Sequence, residues 1–306
     1  MGRRVAFGLL AAALFLIAVA AGLLLWRSHR SPDPGPAVPK PPIGRIYPIA
    51  TNLYVIPQGG GNTAVFVTSH GVLLVDTKYA ENAQALLEEV RTVTDQPVAF
   101  VINTHSHDDH TGGDDVMPAA TQIVVQEHTA ANMRKMRRKE GLDAGRPLRT
   151  FGDRLTLFEG ADAVDLYYCG AAHTDGDALV VFRQARIMHA GDMFIDKTSP
   201  IINLPWGGNP AEYVTTMAKA SSTIHDVDRV ITGHGPMRTW DDFVTYGEFI
   251  RTIVTQAKAA KDAGIDANTA RRQLVLPPAF ADYKLDRLAF TYQDIYKGFT
   301  PWWHVW

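Results

Sequence analysis

Residues 104–110 read Thr104-His105-Ser106-His107-Asp108-Asp109-His110, THSHDDH, placing three imidazoles and two carboxylates directly after the apolar run Val98-Ala99-Phe100-Val101-Ile102. A short, nearly continuous apolar run of this kind predicts a strand buried on both faces, so the polar cluster begins where a strand ends. Neutral imidazole and carboxylate are donors suited to zinc and its first-row neighbours. His105 and His107 stand two residues apart, so on extended chain they project to the same side and can share one ion. Asp109 and His110 follow as the chain turns towards Gly112-Gly113, where they can reach a second. The pattern therefore reads as a two-metal turn.

Further donors appear downstream, each beside small residues and each after a strand-like run. Leu166-Tyr167-Tyr168-Cys169 leads into Gly170-Ala171-Ala172-His173, Ala185-Arg186-Ile187-Met188-His189 into Ala190-Gly191-Asp192, and Arg229-Val230-Ile231-Thr232 into Gly233-His234-Gly235. Small neighbours let backbone approach a metal closely. In this order THSHDDH, His173, Asp192 and His234 resemble the signature of the metallo-β-lactamase superfamily, and Leu73-Leu74-Val75-Asp76-Thr77 is similar to its first motif.

That resemblance implies an α/β fold, a four-layer αββα sandwich. It implies two Zn2+, with iron or manganese as alternatives: His105, His107 and His173 on one ion, Asp109, His110 and His234 on the other, and Asp192 bridging. Asp76 would orient a ligand from outside the metal shell, the alternative being a turn or helix-cap role. His189 fits neither set and reads as a core or supporting histidine, because it and Asp192 cannot both face the site along one strand.

The implied activity is zinc-dependent hydrolysis, in which a metal-bridging hydroxide attacks an ester, thioester, lactone or amide carbonyl of a small-molecule substrate. Asp109 would orient that hydroxide and carry a proton to the leaving group, making it the catalytic residue. The single cysteine, Cys169, reads as a buried strand residue. Dedicated lactamases of the superfamily generally carry Cys or Ser in place of the bridging aspartate, so Asp192 argues against that role and leaves promiscuous β-lactam hydrolysis as an alternative. A mononuclear iron dioxygenase acting on sulfur species and a non-catalytic metal-binding factor of an extracytoplasmic redox or cofactor pathway are two others. With 30 Lys+Arg against 32 Asp+Glu and a formal net charge of -2, no footprint for nucleic acid is expected.

Residues 1–30 read as a signal anchor. Val5 to Trp26 is uncharged and apolar, long enough at ~1.5 Å per helical residue to cross a ~30 Å hydrocarbon core, and Arg27 and Arg30 close it. The competing reading is a secreted chain after cleavage near Ala18-Val19-Ala20, with Arg3-Arg4 resembling a twin-arginine start. Basic residues before the span favour a single-pass membrane protein with an extracytoplasmic catalytic domain, periplasmic in a Gram-negative bacterium. Residues 31–42, SPDPGPAVPKPP, form a proline-rich linker, and residues 43–306 suit one catalytic domain with a C-terminal helical extension.

Within that domain the patterns predict strands at Leu53-Ile56, Thr63-Thr68, Val72-Val75, Leu155-Phe158, Val164-Cys169, Leu179-Phe182 and Ile187-His189. They predict helices at about Ala80-Val93, Gln126-Glu140, Pro210-Ile224 and Asp241-Ala263. The basic cluster Arg134 to Lys139 reads as a solvated helix face, with anionic lipid as the alternative contact. The loop holding Asn203, Trp206 and Asn209 could overhang the metals, with Trp206 as a substrate wall or core residue and either asparagine as an oxyanion donor. Tyr292, Tyr296 and Phe299 fall on one helical stripe that packs on the domain or on a second subunit of a homo-oligomer.

Overall fold

The computed structural model describes residues 40–141 and 145–300. The anchor, most of the proline-rich linker and the terminal Trp302, Trp303 and Trp306 lie outside the described residues. Among the described residues no helix is long and apolar enough to cross a membrane.

The chain builds two sheets. The first contains β1 (Tyr47–Ala50), β2 (Leu53–Ile56), β3 (Thr63–Thr68), β4 (Gly71–Val75), β5 (Val98–Ile102), β6 (Gln122–Gln126) and β7 (Leu148–Phe151), in that spatial order. The second contains β8 (Arg154–Leu157), β9 (Val164–Tyr168), β10 (Ala178–Phe182), β11 (Ile187–His189), β12 (Arg229–Ile231) and β13 (Arg238–Thr239), in the order β13-β12-β11-β10-β9-β8. Seven helices accompany them among the described residues: α1 (Ala83–Arg91), α2 (Asp108–Thr111), α3 (Glu127–Lys139), α4 (Pro210–Thr223), α5 (Trp240–Asp262), α6 (Ala267–Arg272) and α7 (Leu288–Gly298).

Period-two alternation explains the layering. In β4, Leu73 and Val75 face a core that also holds Val180, Phe182 and Ile187 of the other sheet. Val72 and Leu74 turn to the opposite face, against Leu86 and Val90 of α1 and Ala130 of α3. In β10, Val180 and Phe182 join the inter-sheet core, whereas Leu179 and Val181 pack with Tyr213 of α4, Phe249 of α5 and Tyr292 of α7. Each sheet is thus covered by its partner on one face and by helices on the other. The predicted stripe lies here: Tyr292 is buried in this outer core, and Tyr296 and Phe299 pack against it.

Strand direction then gathers the loops. β4 pairs parallel to β5, so Asp76 and His105 leave the first sheet at one edge. β9 and β11 are both antiparallel to β10, and β11 is parallel to β12, so the chain leaves β9, β11 and β12 towards His173, Asp192 and His234 at one edge of the second sheet. The two edges meet, since the Ala178 N–H donates to the Thr104 carbonyl at 2.8 Å and the Asn62 N–H to the Gly233 carbonyl at 2.7 Å.

Four strands depart from the expected pattern, among them β13, two residues paired with β12 and too short to carry a period. β6 occupies residues just before the expected helix, where Ile123, Val124 and Val125 are buried between parallel neighbours, a β-branched apolar run without alternation. β1 and β7 are edge strands whose half-exposed, mixed composition carries little periodic signal. The basic cluster is a half-solvated face of α3: Arg137 pairs with Asp115 at 2.7 Å, and the Lys135 ammonium lies 4.9 Å from the centre of the Trp206 ring.

Candidate metal centre

The THSHDDH segment leaves β5 extended and then coils into α2, whose first residue follows His107. This change of direction splits its donors between two neighbouring subsites. His107 Nδ1 lies 3.0 Å from His105 Nε2 and 3.0 Å from His173 Nε2, so three ring nitrogens converge. Beside them, His110 Nε2 lies 3.4 Å from His234 Nε2, and Asp109 Oδ2 lies 3.5 Å from His110 Nε2 and 3.3 Å from His234 Nε2. Asp192 stands between the groups. Its Oδ1 is 3.4 Å from His110 Nε2 and 3.2 Å from His234 Nε2, while its Oδ2 is 3.7 Å from His173 Nε2.

The outward nitrogens of these rings have their own partners. His110 Nδ1 meets Asp76 Oδ2 at 2.7 Å, His173 Nδ1 the Ile201 carbonyl at 2.9 Å, and His105 Nδ1 the Thr104 hydroxyl at 3.1 Å. A ring that donates its outward N–H keeps a lone pair on the inward nitrogen. Asp76 also accepts the Thr104 N–H at 2.7 Å and the Thr104 hydroxyl at 2.8 Å, so one buried carboxylate orients His110 and the base of the His105 turn together. It is a brace on the histidines, not a helix cap. His189 is buried with both ring nitrogens engaged by backbone, its Nε2 3.0 Å from the Asn62 carbonyl and its Nδ1 accepting the Gly191 N–H at 3.1 Å.

Electrostatics divides the centre. Burial, aided by the adjacent His173, pushes His107 down to about 3, and burial with His110 holds His105 well below the ordinary imidazole value. In the other half Asp192, with help from Asp109, draws His234 up to about 9 against the effect of burial. Burial also opposes charge on His110, yet Asp109, Asp76 and Asp192 together outweigh it and raise its pKa well above the usual range. Asp192 itself is buried, but His234 and His110 keep it well below the usual carboxylate value.

A cation fits this arrangement on an observation independent of any relative. Buried Asp192 Oδ1 has no hydrogen-bond partner although two imidazole nitrogens stand near it, and orphaned carboxylate oxygens are costly unless something satisfies them. His105, His107 and His173, and likewise Asp109, His110 and His234, each bring one donor atom to within 4.8 Å of the others. Gly61 permits the close approach of the β2–β3 loop, since a Cβ there would lie 2.2 Å from the His110 ring. Gly233 does the same beside Asp192 Oδ1, at 2.1 Å.

A family model described as the Metallo-beta-lactamase superfamily matches residues 56–234. The chain belongs to the metallo-β-lactamase superfamily. It is 26% identical over 175 residues to a "Metallo-beta-lactamase type 2" of Bacillus cereus, a match covering 57% of this chain and 66% of that one, just under two thirds of the relative. A solved metallo-β-lactamase from Pontibacter korlensis aligns with TM-score 0.60 and 21% identity over 68% of this chain and 98% of its own. A stereoselective inverting sec-alkylsulfatase from Pseudomonas sp. aligns with TM-score 0.69 and 15% identity over 85% of this chain and 50% of its own. At these identities the structural likeness speaks for the fold.

Around this superfamily site the loop residues divide. Asn203 reaches the centre, its side-chain Nδ2 2.7 Å from His107 Nε2. Asn209 is turned to the start of α4 instead: its Oδ1 accepts the Ala211 and Glu212 N–H groups at 3.0 and 3.2 Å, capping the helix, and its Nδ2, the group an oxyanion would need, donates to Glu212 Oε1 at 2.8 Å. Trp206 is half-buried under Lys135, neither core nor bare wall.

Several supporting residues carry no motif and were invisible to pattern reading. Asn62 donates to the Thr232 and Gly235 carbonyls, both at 2.8 Å, strapping the β2–β3 loop to the His234 loop. Lys78, wholly buried, donates to the carbonyls of Ile56, Gln58 and Gly61 at 2.9, 2.7 and 2.8 Å. Asp114 accepts from the Thr77 hydroxyl at 2.8 Å and Asn103 Nδ2 at 3.2 Å, while its Oδ2 is buried without a partner.

Burial pushes Asp114 from 3.8 up to about 7. Because its folded pKa is raised, the protonated form contributes stability that is complete below about pH 4 and is lost as pH rises through about 7. Asp114→Asn removes that dependence. We expect the variant to gain on the order of 2–4 kcal/mol relative to wild type between pH 5 and 8.5, at about 1.4 kcal/mol per pH unit. Urea melts at the two pH values check this, and parallel pH profiles for the two proteins would contradict it.

Proposed function

We propose that this chain is a binuclear zinc hydrolase of small molecules bearing an ester, thioester, lactone or amide carbonyl. The observation that carries the reading is the pair of adjoining donor groups, with a buried carboxylate whose two oxygens face one group each. His105, His107 and His173 would hold one ion, Asp109, His110 and His234 the other, and Asp192 both. When bound, such a pair lowers the pKa of a shared water towards about 7 and polarises the substrate oxygen.

The chain's own residues supply position and proton traffic. The Asp109 side chain is 17% exposed against 6% for Asp192, so of these two carboxylates it is the one open to an incoming substrate. The Asp109 carboxylate can align a water through a hydrogen bond and pass a proton to the departing atom. Asp76 and Thr104 hold the histidines without reorganisation. Asp192 supports hydrolysis of carbonyl compounds over a dedicated lactamase role. Lactams nonetheless stay among the substrates to be tried, because the curated relative named above is called a metallo-β-lactamase, and the sulfatase likeness adds sulfate esters to the set. We extend the proposal to membrane attachment through residues 1–30, which fractionation of the full chain tests: a soluble chain shortened near residue 22 would favour secretion instead.

The test is a panel of lactones, thioesters, esters, lactams and sulfate esters, assayed with the zinc-loaded full chain and after chelation. Turnover of at least one carbonyl class that disappears on chelation and returns with zinc is expected. Turnover that survives chelation, or activity confined to sulfate esters, would contradict the proposal.

A further inference from the structure

We propose that Asn203 is a positioning residue for His107, its side-chain oxygen accepting the His107 Nε2 proton when Nδ1 serves a cation. The inference rests on the metal reading above and concerns the one converging histidine whose outward partner is a side-chain carboxamide.

His105 and His173 face the convergence point with Nε2, whereas His107 faces it with Nδ1. His107 therefore points Nε2 outward, and the atom waiting there is the Asn203 amide at 2.7 Å. A neutral imidazole carries one proton. If Nδ1 carries it, Nε2 accepts from the Asn203 NH2 group; if Nδ1 lends its lone pair to a cation, Nε2 is an N–H and an NH2 opposite would be donor against donor. A half-turn of the carboxamide exchanges its oxygen and nitrogen at almost no steric cost. Asn203 can thus satisfy His107 in both proton arrangements, which neither a carboxylate nor a backbone carbonyl could do.

The amide is held for this purpose by its backbone. The Asn203 N–H donates to the His173 carbonyl at 2.8 Å, and its own carbonyl accepts the Trp206 and Gly208 N–H groups, each at 3.0 Å. The same turn is tied to the neighbouring loop, since the Asp175 N–H donates to the Trp206 carbonyl at 3.0 Å. His173 is gripped from the same segment through Ile201. Residues 201–208 therefore brace two of the three converging histidines at once. Groups that orient a ligand histidine in this way are worth about 10–100-fold in metal affinity.

The experiment is zinc titration of the metal-free full chain against a chromophoric chelator, for wild type, Asn203→Ala, Asn203→Leu and Asn203→Asp, with far-ultraviolet circular dichroism as the folding control. Asn203→Ala and Asn203→Leu are expected to bind the tightest zinc about 10–100-fold more weakly. Asn203→Asp, which keeps an acceptor facing Nε2, is expected to match or exceed wild type. In zinc-loaded wild type, nitrogen NMR should show the His107 proton on Nε2, slow to exchange, and this reading stands even if a variant misfolds. Wild-type affinity in the Ala and Leu variants overturns the assignment, as does an Asp variant weakened as much as Leu, or a His107 proton on Nδ1 in the loaded chain. A wild-type chain that takes up no zinc would instead remove the metal reading, and this assignment with it.

Discussion

His107→Ala and Asp109→Ala are each expected to lower turnover of the best carbonyl substrate by about a thousand-fold or more, ~4 kcal/mol of transition-state stabilisation, without unfolding the domain. The two should fail differently. His107 is one of three nitrogens within 3.0 Å contacts around one point, so its loss opens that subsite and weakens zinc binding. Asp109 shares its subsite with His110 and His234, and its side chain is partly exposed. Its loss should reduce kcat even under saturating zinc. Neither side chain belongs to the three apolar cores, so the thermal unfolding of both metal-free variants should stay near that of wild type. Steady-state kinetics with metal analysis checks this, and near-wild-type turnover in either metal-loaded variant would contradict the role assigned to it.

The second large effect falls on stability. Lys78→Met should destabilise the fold by about 3–5 kcal/mol, because the buried carbonyls of Ile56 and Gly61 and the partly buried carbonyl of Gln58 lose their ammonium donor. Burial pushes the Lys78 ammonium down to about 7, against the pull of Asp76 and Asp109, but its three hydrogens have three acceptors, the geometry of an ammonium. It holds the loop that carries Gly61 against His110, from a backbone position with φ 65 beside Asp76 with φ 66. Such left-handed conformations at non-glycine residues persist only where the surroundings enforce them. Methionine matches the length of the stem but donates nothing. Chemical denaturation should show the loss in metal-free protein, and a change below about 1 kcal/mol would mean that water replaces the ammonium at little cost.

Metal donors are legible in a sequence when the chemistry requires their type and the chain direction requires their place. THSHDDH after an apolar run, and single donors beside glycine or alanine after three later runs, are local signals, and the structure brings all of them to one edge. Short, almost wholly buried strands such as β2, β3 and β11 begin and end at the predicted residues. What stayed hidden is what depends on partners far along the chain. Asn62 and Thr232 are joined across 170 residues, and nothing beside Lys78 in the sequence marks the three carbonyls, 17 to 22 residues away, that surround it. Asn203 and Asn209 look equivalent in the loop, yet one touches His107 and the other caps a helix, a difference set only by where α4 starts. β6 was missed because the apolar triplet Ile123-Val124-Val125, set between two glutamines beside a helix start, carries no period of its own.

Seven side chains that together form one two-ion centre should show it in zinc stoichiometry. Elemental analysis of the full chain, loaded with zinc and freed of excess by gel filtration, should give two zinc ions per chain in wild type. His234→Ala should give one, because His105, His107 and His173 remain complete. A single ion in wild type, or exclusive uptake of one iron when both metals are offered, would contradict the two-ion centre.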